Sequence, residues 1–204
     1  MEKFLARLFS TVFHPLLVPT LGTFILFNIN SYISYSVPGS LQRLTLLLVF
    51  LNTAVAPVLI IVLLKKLKVI GSLFLDERQD RAYPILLSAI LFYLTFYLLR
   101  QLNLPVLFYY FIGGGTLLII LCFFISLFWK ISIHMASFGG LTGAVISTSL
   151  LLQSNLFLLI SCLILASGLL GFARIKLNAH NSMQVYAGYI AGVLVMILTI
   201  IRPF

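Results

Sequence analysis

Charge is what this sequence has least of. Only 8% of its 204 residues are Asp, Glu, Lys or Arg, against about 25% in a soluble domain, so the chain cannot cover a water-facing globular surface. Acidic residues are fewer still, four in all. There are two cysteines, Cys122 and Cys162, each inside an apolar run; this excludes a cysteine zinc site and a secreted disulfide framework. No long polar run is present that would build an extramembrane domain. The basic, then apolar start at Lys3 and Arg7 continues past Pro15 and Pro19 without a small-residue cleavage site, so it reads as a retained first span rather than a signal peptide. What is there is apolar: 62% hydrophobic residues and a mean hydropathy of +1.18. The expectation is an all-α, polytopic transmembrane helix bundle forming one domain over residues 1–204, a multi-pass protein of the bacterial inner membrane. The formal charge of +9 would suggest nucleic acid in a soluble protein, but here it is the charge that sets membrane orientation, and no nucleic-acid partner is expected.

A membrane span takes about 20 mostly apolar residues. Seven candidates fit, or six if the first fails: Leu16 to Ile33, Leu44 to Leu64, Tyr83 to Leu99, Leu104 to Phe128, His134 to Leu152, Leu156 to Phe172 and Val185 to Ile201. Between them lie turn residues (Ser36-Val37-Pro38-Gly39-Ser40), short polar hairpins at Arg100–Asn103 and Gln153–Asn155, and two longer charged gaps, Lys65 to Arg81 and Arg174 to Gln184.

The ionisable residues gather. Asp76, Glu77 and Asp80 fall together with Arg78 and Arg81, and the histidines (His14, His134 and His180) all stand at span edges. An even number of spans separates each of these places from the next, so all share one membrane face. Ionisable groups near hydrocarbon are costly and mark function.

Each place carries its own chemistry. Trp129-Lys130-Ile131-Ser132-Ile133-His134 enters a span at a helix N-terminus, where free N–H groups favour anions; Lys130, Ser132 and His134 are anion-binding candidates, with an interfacial Trp-Lys anchor and a serine cap as the plain alternative. His180 and Gln184 are four apart and share a helix face. The glutamine carbonyl can hold a proton on one imidazole nitrogen and free the other as a nucleophile. Arg174 offers a fork for phosphate oxygens. Arg78 and Arg81 can hold phosphate, or belong to a self-paired solvated loop. Asp76 and Asp80, at i and i+4, can instead ligate magnesium on a diphosphate. His14, before Pro15, reads as a cap on the first span. Gly139, Gly140 and Gly143, with Gly188 and Gly192, read as close helix packing.

Arg174, five residues, His180, three residues and Gln184 resemble the third motif of the type 2 phosphatidic acid phosphatase superfamily, S-R-x5-H-x3-D. Ser132-Ile133-His134 resembles the S-G-H core of the second motif, and Arg81 with Pro84 loosely resembles the first, K-x6-R-P. The resemblance covers roughly residues 76–192. It implies a metal-free lipid phosphate phosphatase without a cofactor. His180 would be the nucleophile that becomes phosphorylated, His134 the acid that protonates the leaving oxygen, and Arg174, Ser132 and Arg78 or Arg81 the holders of the phosphoryl oxygens. The chain departs from the pattern at Gln184, where the family has Asp, and at Ala173, Ile131 and Ile133; Phe74 stands where the first motif has lysine.

The expected substrate is a lipid phosphate or polyprenyl diphosphate. The alternatives are a catalytically inactive relative that binds or moves anionic lipid, motivated by Gln184, and a magnesium-dependent intramembrane prenyltransferase using Asp76 and Asp80. On the motif face the parity count places Lys3, Arg7, Lys65, Lys66, Lys68, Arg78, Arg81, Lys130, Arg174 and Lys176, ten cations against Arg43, Arg100 and Arg202 on the other. The positive-inside rule makes the motif face cytoplasmic.

Overall fold

The computed structural model describes residues 2–69 and 83–201 in full, and residues 78–82 by their backbone. Among the described residues every regular element is helical. α1 is Glu2–Val12, α2 Val18–Asn28, α3 Tyr32–Tyr35, α4 Gly39–Phe50 and α5 Ala56–Lys66, the last two joined through a π-helical turn at Leu51–Val55. Then come α6 Arg78–Gln101, α7 Val106–Phe128, α8 Ile133–Leu151, α9 Phe157–Lys176 and α10 Ser182–Ile201.

Five helical stretches are long and apolar enough to cross a membrane: Gly39–Lys66, Tyr83–Gln101, Val106–Phe128, Phe157–Lys176 and Ser182–Ile201. That is the build of a multi-pass membrane protein. The expected first span, Leu16 to Ile33, takes another form. Its helix α2 has 11 residues, roughly 16 Å at the usual rise against a hydrocarbon core of about 30 Å. Pro15 and Pro19 stop the helix from extending backward, because a proline within a helix removes a donor and crowds the preceding turn. α8 is less apolar than its neighbours for a different reason. Twelve of its 19 residues are buried, so it lies amid protein and can carry Thr142, Ser147 and Thr148. Their hydroxyls donate to the carbonyls four residues back, at 2.8–2.9 Å, which satisfies them inside the helix.

α8 and α10 are the closest pair, and glycines make the approach. A Cβ at Gly143 would stand 2.6 Å from the Val193 carbonyl oxygen, and one at Gly188 2.7 Å from that of Ser132. At Gly139 and Gly192 it would collide with the Tyr189 and Ala136 carbonyl oxygens. Two small-xxx-small stripes, 139/143 and 188/192, thus interlock backbone to backbone, as expected of small residues at a membrane helix interface. The Ser132 N–H donates to the Gln184 carbonyl at 3.3 Å. The start of α8 is therefore fixed against the start of α10, and with it His134 against His180.

The helix ends alternate along the bundle. The start of α8 and the end of α9 lie together with His14 at one end. The α8–α9 turn lies at the other end, against Asn28 and Asn30. Lys68, Gln153 and Asn178 have left-handed backbones (φ 58°, 47° and 52°). Each follows a helix C-terminus, Lys68 and Asn178 in the two-bond closing turn that places one residue in this region and Gln153 with the Ser154 N–H donating to the Ser149 carbonyl.

Candidate functional site

The turn after α9 sets the Arg174–His180 spacing. The Asn178 N–H donates to the Ile175 carbonyl at 2.9 Å and the Ala179 N–H to the Arg174 carbonyl at 3.1 Å. The His180 N–H reaches the same Arg174 carbonyl at 3.4 Å. The chain reverses so tightly that six residues of sequence bring His180 back over the last turn of α9.

Asn181 then caps α10. Its Oδ1 accepts the Gln184 N–H at 2.9 Å, while Gln184 Oε1 accepts the Asn181 N–H at 3.2 Å, a reciprocal capping box. The same Oε1 lies 3.2 Å from His180 Nδ1, and the Lys130 carbonyl oxygen lies 3.3 Å from it. Both are acceptors, so the neutral ring carries its proton on Nδ1 and its lone pair on Nε2. His180 is 9% exposed.

His134, in the first turn of α8, places Nε2 3.3 Å from the Ser10 carbonyl oxygen. That nitrogen donates, and Nδ1 holds the lone pair. His14 does the reverse of His180: its Nδ1 accepts the Leu16 N–H at 3.3 Å, leaving Nε2 to carry the proton. The His14 and His134 rings stand edge to face, 5.4 Å apart. Burial first, and then the positive Arg174, hold His14 below the ordinary histidine range.

These groups line one cavity of about 890 Å³. Arg7, Ser10, His14, His134, Arg174 and His180 are at its polar end. From there an apolar slot runs between α6, α7 and α8, past Ile85, Cys122, Leu118 and Leu141 to Phe92 and Phe111. Along α8, residues 133 to 141 span ~12 Å and along α7, residues 122 to 111 span ~16 Å at 1.5 Å per residue. A site of this shape holds a polar head at the bundle end and an apolar tail within it.

Of the residues singled out by sequence, His180, His134 and Arg174 come together here, and Gln184 stands behind His180. Lys130 is half-buried and contributes its carbonyl to His180 rather than a side chain to the cavity lining. Ser132 does not line the cavity. It is fully buried, and among the described residues its hydroxyl makes neither a helix cap nor any other hydrogen bond. The backbone of Arg78 and Arg81 forms the first turn of α6, whose Pro84, Ile85 and Ser88 line the cavity; their side chains lie outside the described residues, as do Asp76, Glu77 and the Asp80 side chain. Among the described residues no three His, Cys, Asp or Glu are placed to hold a metal. Cys122 is buried and Cys162 exposed, both as free thiols.

Sequence reasoning undervalued His14. It does not cap α2, which begins at Val18 behind Leu17; it lies instead against His134. Arg7, Ser10 and Thr11 were missed with α1 itself. Their signal was the helical spacing of Phe4, Leu5, Leu8 and Val12 on one face, beside Lys3, Arg7 and Thr11 on the next. Comparison with protein-family profiles, with curated proteins and with solved structures returns no match.

Proposed function

We propose that the protein is a membrane-embedded phosphatase acting on a lipid phosphate or polyprenyl diphosphate, and that it works through a phosphohistidine at His180. The observation that carries the reading is the pair of acceptor oxygens facing His180 Nδ1. With Nδ1 committed to Gln184 Oε1 and the Lys130 carbonyl, Nε2 holds the lone pair of a buried imidazole lining the same cavity as His134, His14 and Arg174. In this mechanism Nε2 attacks phosphorus and the bond from phosphorus to the lipid oxygen breaks. His134, charged on binding the anion, delivers a proton to that oxygen. Water then cleaves the P–N bond with His134 as base, releasing phosphate and restoring His180. Phosphoryl transfer asks mainly for positioning and positive donors around the transferred group. Arg174 and the N–H groups opening α8 supply them. The apolar slot receives the lipid tail. In this reading α2 with its flanking turns and α8 also cross, giving seven spans with the cavity on the cytoplasmic face of a bacterial inner membrane.

The purified protein in detergent, with chelator present, is expected to release phosphate from a panel of lipid phosphates, with a His180-linked, acid-labile phosphoryl adduct trapped during turnover. Full activity in His180→Ala refutes the assignment. A second reading, a relative that binds anionic lipid without turnover, draws on the neutral Gln184 behind His180. Lipid phosphate binding that depends on Arg174, with no phosphate release, decides for it.

A further inference from the structure

The N-terminal helix α1 has three faces. Ala6 and Ser10 are buried, and the helix packs against α9. Lys3, Arg7 and Thr11 follow one another at four-residue spacing, with Arg7 and Thr11 at the cavity. Phe4, Leu5, Leu8 and Val12 form the third face and are 69%, 45%, 48% and 56% exposed. Both ends of α1 are held at the same end of the bundle. Glu2 pairs with Lys176 in the last turn of α9 at 2.7 Å, and the Ser10 carbonyl meets His134 in the first turn of α8. An 11-residue helix is ~16 Å long, and both of its ends are tied to residues at the cavity end of the bundle.

We infer that α1 lies in the plane of the membrane, in the headgroup layer at the cavity end, and binds anionic lipid there. Its apolar face enters the acyl chains, and Lys3 and Arg7 meet the headgroups. Two observations name the bilayer as the occupant. The apolar face is carried by a helix that packs on α9, a helix long and apolar enough to span, whose Leu165, Leu169 and Phe172 are exposed. Cations flank it at Lys3 and Arg7, while Lys176 is paired with Glu2. An apolar face beside a basic one, with little net hydrophobicity, marks a helix that lies on a membrane rather than through it. The inference does not depend on hydrolysis in the cavity; it concerns what the outer face of α1 touches.

The test places a single tryptophan at Leu8→Trp, and separately at Leu5→Trp, in a Trp129→Phe background, with the full chain in nanodiscs. Lipids brominated at shallow or deep acyl positions report depth. Shallow bromines are expected to quench more than deep ones at both positions. Brominated anionic lipid diluted in zwitterionic lipid should quench more than its zwitterionic counterpart at equal mole fraction, by an enrichment of about five- to twenty-five-fold, given about fivefold for each of one or two surface cations. Lys3→Gln with Arg7→Gln should bring the ratio to one. Water-like emission without quenching overturns the inference, as does stronger quenching by deep bromines or quenching lost when two copies share a disc. A ratio of one in the unmodified helix removes the anionic preference.

Discussion

Gln184→Glu is the most informative single change. Oε1 of Gln184 performs two tasks, accepting the Asn181 N–H and facing His180 Nδ1, both at 3.2 Å. Glutamate keeps the length, the capping box and the acceptor, and adds a negative charge directly behind the imidazole. A hydrogen bond to a charged partner is worth about 1.5–3 kcal/mol against roughly 0.5–1.5 for a neutral one. The charge should therefore stabilise the cationic, phosphorylated ring by about 1.4 kcal/mol more, which is about tenfold in rate. Gln184→Ala removes the side-chain acceptor, yet the Lys130 carbonyl still faces Nδ1 at 3.3 Å. The ring keeps its tautomer, and the loss should stay near 10- to 100-fold, below the roughly 10⁴-fold of a triad whose tautomer is reversed. The assay is phosphate release under single-turnover conditions, with circular dichroism to verify that α10 is intact. An unchanged or slower Gln184→Glu protein, correctly folded and with wild-type binding, refutes the orientation argument.

Other outcomes follow from the packing and the charges. Gly192→Leu forces a side chain into the Ala136 carbonyl and should cost about 3 kcal/mol or more, seen as a collapse of thermal stability in detergent, whereas Gly168→Ala, with open space around it, should melt like the wild type. Because the folded-state pKa of His14 is depressed, the unfolded chain binds more protons there, so stability is complete above about pH 6.5, the ordinary histidine value, and falls as pH drops below it. Melting curves of His14→Asn should lose that share of the pH dependence, and an unchanged slope would contradict the burial of the ring. Arg174→Lys keeps the charge but not the fork, so lipid phosphate affinity should fall by about tenfold with little change in melting temperature; equal affinity in the two proteins would remove Arg174 from the phosphate contact.

Much of the bundle is written in one dimension. Runs such as Val106–Phe128 and Ser182–Ile201 are too apolar for anything but lipid or a core, and their order alone dictates which ends meet. That is why His14, His134 and His180 were traceable to one end before any coordinates. The spacing of Arg174 and His180 is likewise local, being the length of a closing turn with Asn178 in the left-handed region. The glycine stripes announced close packing because only their lack of a Cβ lets two backbones touch.

Other features have no local signature. α1 and α2 depart from the expected single span because helix length there is limited by Pro15 and Pro19 and by what the preceding segment can pack against, which depends on α9. The direction of Ser132 also escaped the sequence: its motif position suits an anion, but the backbone bond to Gln184 and the closeness of Gly188 turn its hydroxyl into the interior. Most of all, the proton positions on the imidazoles are tertiary facts. Sequence supplied Gln184 as one partner of His180; the Lys130 carbonyl, the Ser10 carbonyl and the Leu16 amide are backbone groups that every residue possesses. Only the packing of α1, α8 and α10 decides which of them faces a ring nitrogen, and so which nitrogen keeps its lone pair.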